Sequence, residues 1–173
     1  KTESAMAKVF VSEALNRVPG LVVNLRNNYA QDLQINSRGF GARASFGVRG
    51  IRLYSDGIPA AGPDGQGQVS HFDLAGAERI EVLRGPFSAL YGNSSGGVIQ
   101  VFTEDGAGPP TLTLDAAAGS DGVRRGAVKW SGSSGSLGYV VDLSRFRTDG
   151  FREHSAAQRD IGNAKLSWRP DAS

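Results

Sequence analysis

Glu78-Arg79-Ile80-Glu81-Val82-Leu83-Arg84-Gly85-Pro86-Phe87-Ser88-Ala89-Leu90-Tyr91-Gly92 decides how the rest of the chain is read. Glu78 to Arg84 has the apolar content of a strand edged with charge. Gly85 breaks it. Pro86 suits a first helical position, where its missing N–H would have no partner anyway, and Gly92 follows Tyr91 as a stop, so one helical turn is predicted between them. Gly97 to Thr103 returns to strand.

Upstream, Ser12 to Val18 reads as a short helix with Ser12 as N-cap, stopped by Pro19-Gly20. Strands are expected over Leu21–Leu25, Leu33–Arg38 and Phe46–Tyr54, the last because Phe46 and Val48 alternate with Arg49 and Arg52. Ser55-Asp56-Gly57-Ile58-Pro59 carries turn chemistry. Ala60 to Phe72 is polar, with three glycines and a proline, and reads as a long exposed loop of the kind that carries recognition. A small α+β domain with a mixed sheet and short helices follows, ending at Asp105-Gly106-Ala107-Gly108-Pro109-Pro110, which no helix or central strand crosses. The domain boundary is therefore placed after residue 106.

Beyond it, four segments alternate with a period of two: 111–116, 126–130, 139–145 and 163–169. Their apolar residues fall on one side: Leu112 and Leu114; Val128 and Trp130; Tyr139, Val141 and Leu143; Ala164, Leu166 and Trp168. Gly119 to Gly122, Gly132 to Ser136 and Arg147 to Gln158 read as the turns of an antiparallel meander. A soluble sandwich shows the same period as a transmembrane barrel, so the strands alone leave both open; aromatics at segment ends fit an interfacial girdle.

Composition narrows the classes. Of 173 residues, 24 are glycine, about twice the usual share and suited to tight turns and β architecture. Charges nearly balance, 19 basic against 17 acidic, too evenly to argue for a nucleic-acid groove on charge alone, and no nucleic-acid partner is expected. The absence of cysteine excludes thiol chemistry and zinc knuckles. Neither histidine, His71 or His154, has a second ligand at metal-site spacing, and no cofactor motif holds: Gly39-Phe40-Gly41-Ala42-Arg43-Ala44 precedes a strand, where a dinucleotide fingerprint needs a helix. Gly92-Asn93-Ser94-Ser95-Gly96 matches a serine-hydrolase elbow, with His154 and Asp105 or Asp142 as conceivable partners. The strand pattern after Ser94 conflicts with the helix that an elbow requires.

Read together, Ile35-Asn36-Ser37-Arg38-Gly39-Phe40-Gly41, Val48 to Pro59, Ala77 to Gly92 and Gly96-Gly97-Val98-Ile99 resemble the plug of TonB-dependent outer-membrane receptors in order and spacing, over about residues 12 to 104. The helix-to-strand opening from Glu13 to Val23 matches as well. The resemblance implies a non-enzymatic gate in the outer membrane of a Gram-negative bacterium: a plug (1–106) inside a 22-stranded barrel whose first strands are 107–173. It implies a metal-chelate ligand such as a ferric siderophore, and as partners TonB with its inner-membrane ExbB-ExbD complex. Two features depart from the family: no TonB box is recognised before Ser12, and about four barrel strands are present.

By the same resemblance Arg38 and Arg84 occupy the two arginine motifs expected to pair with carboxylates of the barrel wall, a task suited to a permanently charged, forked guanidinium. Apical loops would carry Asn28, Tyr29 and Gln31, and Asp64, Gln66 and Gln68, as hydrogen-bonding contacts to a polar chelate. Gly39, Gly57, Gly85 and Gly92 read as positions of positive φ or close packing, and Tyr91 as core. The rival readings are a soluble β-rich binding module and, behind it, a hydrolase using Ser94.

Overall fold

The computed structural model describes residues 15–24, 33–44, 47–62, 64–69, 72–85, 88–92 and 94–170. The chain divides into two compact units, residues 1–74 with 79–102 and residues 75–78 with 103–173.

In the first unit β1 (Leu21–Asn24) pairs antiparallel with β2 (Gln34–Ser37), Leu21 opposite Ser37. A second sheet is built from β3 (Ile51–Ser55), β4 (Ile58–Pro59), β5 (Ala77–Arg84) and β6 (Gly97–Thr103) in the order β4-β3-β6-β5. It is mixed, as expected. β3 and β4 are antiparallel around Asp56 and Gly57, whose φ of 49° and 80° are those of a type I′ turn, while β3 runs parallel to β6 with Ile51 opposite Gly97. β6 lies between two strands, and Val98, Ile99 and Val101 are all buried, the near-continuous apolar run of a strand covered on both faces. β5 takes the edge and carries Glu78, Arg79 and Glu81, charges that discourage edge-to-edge pairing. Leu15, Val23, Ile35, Val48, Ile51, Leu53 and Phe72 complete the core.

Helix is scarcer than the α+β expectation. Among the described residues α1 spans only Ser88–Tyr91, and of the helix read at 12–18 the described part is helical at Leu15 and Asn16 before a turn. The Asn16 side chain turns back to accept a hydrogen bond from the Val23 amide (3.0 Å), which ties that turn to β1; Ser12 lies outside the described residues. Of the strand expected over Phe46–Tyr54, Phe46 lies outside the described residues and β3 begins at Ile51, because Gly50 (φ 75°) bends the chain and Val48 instead exchanges backbone hydrogen bonds with Gly67. The loop 60–72 is less exposed than expected: Val69 and Phe72 are buried. Gly39, Gly57, Gly85 and Gly92 all have positive φ, and Tyr91 is half-buried, edge-on to Tyr54.

In the second unit β7 (Thr111–Ala118), β8 (Arg124–Ser134), β9 (Leu137–Thr148) and β10 (Ala157–Trp168) form an antiparallel meander. All four strands extend beyond their sequence segments at one end or both. Of the cluster Gly132 to Ser136 only Gly135 and Ser136 turn, and Arg147–Thr148 and Ala157–Gln158 pair with each other. Small and polar residues extend a strand wherever a neighbour offers a complete hydrogen-bond ladder, which local composition does not register.

Register aligns the side chains in rows across the sheet. Leu112, Trp130, Val141 and Ala164 share one row, and Leu114, Val128, Leu143 and Gly162 the next. This face is bare: Leu114 is 70%, Leu143 62%, Leu166 71% and Trp168 74% exposed. The opposite face carries Lys129, Val140, Asp142 and Thr148, all buried. A soluble sandwich would have the leucines buried and the lysine and aspartate in water, so the sheet is inverted relative to the soluble-module reading.

The chain entering β7 is fastened to that polar face. Glu104 accepts Lys129 Nζ at 2.5 Å, and Asp105 accepts Lys165 Nζ at 2.9 Å and Arg169 Nη2 at 2.8 Å. Lys165 also donates to the Thr103 carbonyl, and the Ser133 amide to Gly108. Gly138 permits the approach, since a Cβ there would strike the Asp105 and Gly106 carbonyl oxygens.

Leu53→Ala, at a fully buried site, is expected to destabilise the first unit by about 2–5 kcal/mol, whereas Val22→Ala at a position 51% exposed should stay within about 0.5 kcal/mol; urea unfolding checks both. Hydrogen bonds from Lys165 and then Arg169 hold the Asp105 carboxyl below its ordinary value. A depressed folded-state pKa contributes stability above the unfolded value that is lost as pH falls through the folded one. Asp105→Asn should therefore cost under about 1 kcal/mol at neutral pH, the pair being exposed, and the gap to the parent should close as pH drops below 3.8, read by urea unfolding across pH.

Candidate functional site

The described residues of 60–68, which leave out Pro63, form a small polar cradle. It leaves β4 with the Ala60 amide donating to the Leu53 carbonyl (2.8 Å) and returns where Gly67 and Val48 exchange hydrogen bonds (both 2.8 Å). Between these ties the Gly62 amide donates to the Gln66 carbonyl and the Gln66 amide to Asp64 Oδ1. Arg49 braces the cradle from outside, with Nη2 3.2 Å from Gln66 Oε1 and 4.0 Å from Asp64 Oδ2. Gly47, at φ 59°, lets this happen: a Cβ there would overlap Gln66 and the Gly67 carbonyl.

The cradle opens as a cleft of about 420 Å³ lined by Ala60, Ala61, Gly62, Asp64, Gln66 and Gln68, within the size range of small-molecule sites. The three expected contact residues of this loop are thus brought together. Asp64 offers a carboxylate, Gln66 and Gln68 offer amides, and Gln68 is exposed. Asn28, Tyr29 and Gln31 lie outside the described residues. Among the described residues no group of three or more His, Cys, Asp or Glu could hold a metal ion. Arg49 fits a strand pattern in the sequence; its role in bracing the loop is visible only once Val48 pairs with Gly67.

The two motif arginines meet at one turn. Arg84 Nη1 donates to the Pro19 carbonyl (2.7 Å), and the Arg38 amide to Gly20 (3.4 Å). Arg38 itself sits at φ 50° followed by Gly39 at 91°, in a tight turn closed by reciprocal Ser37–Phe40 backbone bonds. A left-handed conformation at a non-glycine residue costs about 1–2 kcal/mol, a strain typical of positions held for function. Both side chains are exposed, and among the described residues neither guanidinium meets a carboxylate.

Ser94 is fully buried, its hydroxyl donates to the Gly92 carbonyl, and β6 follows it. A nucleophile elbow needs an exposed serine and a helix behind it, so the hydrolase reading fails on both counts.

Residues 4–98 match the family model described as TonB-dependent Receptor Plug Domain. The chain is similar to the vitamin B12 transporter BtuB of Photobacterium profundum, 31% identical over 157 residues, covering 88% of this chain and 25% of the relative. Among solved structures it superposes on the ferric yersiniabactin uptake receptor FyuA from Yersinia pestis (TM-score 0.73, 23% identity, 96% of this chain and 28% of that one). It also superposes on the siderophore receptor PirA from Pseudomonas aeruginosa (TM-score 0.62, 25% identity, 94% and 29%). The chain spans between a quarter and three tenths of the length of these relatives, which are receptors and transporters, not enzymes. With its plug motifs, its mixed sheet and a family match over more than half its length, the chain belongs to the TonB-dependent receptor plug family of the Gram-negative outer membrane.

Proposed function

We propose that residues 1–106 are the plug and residues 107–173 the first barrel strands of a receptor importing a metal chelate of the ferric-siderophore type, energised by TonB with ExbB-ExbD. The observation that carries the ligand reading is the braced polar cleft at 60–68. It offers a carboxylate and amides for hydrogen bonding and no metal-ligating cluster among the described residues, which suits a complexed metal arriving with its own ligands. The names of the similar receptors, for vitamin B12 and for siderophores, are of the same chemical kind.

The barrel reading is supported by strand lengths of 11, 12 and 12 residues for β8 to β10, enough for a tilted strand to cross a bilayer, and by the bare apolar face. Trp130, Tyr139 and Trp168 sit at the end of the sheet that has the two-residue turn, where an aromatic girdle belongs. In this reading Arg38 and Arg84 face carboxylates of the barrel wall and hold the plug seated until TonB adds its pull.

In cells carrying the full receptor, uptake measured against a panel of metal chelates should show one ferric siderophore transported in a TonB-dependent manner; transport of none of them contradicts the ligand assignment. Arg49→Ala should lower affinity for that ligand about tenfold by freeing Gln66 and Asp64, read by direct binding. Arg84→Ala should raise sensitivity to large antibiotics through a loosened plug, while Arg38→Gly should do the same with stability unchanged or raised by up to about 1 kcal/mol, since glycine relieves the left-handed turn. Unaltered permeability in both would contradict the seating role.

A further inference from the structure

Residues 103–108 cross the polar face of the meander before the chain turns into β7. Lys165 Nζ on β10 donates to the Thr103 carbonyl at 2.9 Å, and Asp105 accepts from that same lysine, from Arg169 at 2.8 Å and from Ser167 Oγ at 3.4 Å. Glu104 takes Lys129 on β8. Gly106 lies against β9, so closely that a Cβ there would strike the Tyr139 backbone. Gly108 then accepts both the amide (2.9 Å) and the hydroxyl (3.1 Å) of Ser133 on β8. The segment therefore straps three neighbouring strands together at the end of the sheet that has the two-residue turn, and the division into compact units falls at its start, between Phe102 and Thr103.

A connector that only links two units runs over the surface with few ties. This one is tied by charge-assisted hydrogen bonds, about twice as strong as neutral ones, and Lys129, with its side chain 10% exposed, is shielded from screening by salt. The arrangement suits a load. A pull on Thr103 from the upstream chain bears on Lys165, Lys129 and Arg169 together, and the strands beneath are joined to one another by continuous ladders. Contacts loaded together share the force; without them the pull would reach Thr111 and open the β7–β8 ladder one pair at a time.

We propose that residues 103–108 form a load-bearing strap that ends the movement of the upstream chain at Thr103, so that a pull on the plug is not passed into β7. This rests on the gate reading given above and adds to it the point at which remodelling stops. The charge of Asp105 and the bare backbone of Gly138 beneath it are the parts that hold the strap down.

The test pulls the full receptor, reconstituted in lipid, through a thiol at Lys1→Cys, with extension read in a force spectrometer. At about 3.4 Å per extended residue the parent is expected to pause at roughly 350 Å, when the chain is drawn out to Phe102. At constant force Asp105→Arg should shorten that pause at least about tenfold, by removing its ion pairs and setting another cation beside Lys165 and Arg169. Gly138→Ala should shorten it without touching a charge, and Asp105→Arg/Arg169→Asp should recover most of it, while pauses at shorter extension stay as in the parent. A parent that unravels past Thr103 without a pause, or a pause that neither Asp105→Arg nor Gly138→Ala shortens, would overturn the strap. Heat-modifiable gel migration of the same samples separates the two ideas: an intact barrel with no pause at that extension sinks the strap alone, whereas a receptor that forms no barrel sinks the reading beneath it.

Discussion

The constraint on which the account depends is that β7 to β10 are joined by unbroken backbone ladders while the side chains around them are sorted the wrong way for water. The ladder is continuous from Thr111–Ser131 through Trp168–Leu137, and the bare side of it is leucine, valine and tryptophan. Exposing so many large apolar groups in one contiguous sheet is costly in water. In hydrocarbon that cost vanishes, which is what the proposed barrel requires, and there the outer edges of β7 and β10 would have to pair with further strands.

The same inversion explains the residues on the other face. Lys129 and Asp142 are buried opposite one another in register, and Lys129, Lys165 and Arg169 converge on Glu104 and Asp105. The polar face gives the incoming chain ionic partners at Glu104 and Asp105, and the Thr103 and Gly108 carbonyls accept hydrogen bonds from Lys165 and the Ser133 amide. The first unit uses the opposite economy. Its larger sheet is centred on β6, where Val98, Ile99 and Val101 are buried, and the cradle at 60–68 and the Arg38 turn lie in its loops.

Much of this was legible in the sequence, for local reasons. Gly85 and Gly92 punctuate the chain through backbone geometry that depends on nothing distant, and strand, helical turn and strand lie at Ala77–Arg84, Ser88–Tyr91 and Gly97–Thr103, with Pro86 outside the described residues. The two-faced pattern of the meander was legible because the period of two survives in each segment. What composition could not show was pairing. Ser131, Ser133 and Gln158 look like loop residues until β9 lies beside them, and Val48 and Arg49 look like strand until Gly67 takes the Val48 hydrogen bonds and leaves Arg49 free to brace Gln66. Of the candidate contacts, Asp64, Gln66 and Gln68 share one cleft.

The central claim is tested most directly by nitroxide labels placed singly at Leu114 and Thr113, neighbours on opposite faces of β7, in the full receptor reconstituted in lipid. The label at Leu114 should relax strongly with oxygen dissolved in the bilayer and weakly with a water-soluble nickel chelate, and the label at Thr113 should lack that lipid signature. Equal responses at the two sites, or a Leu114 label shielded from oxygen, would contradict the inverted sheet and with it the import gate.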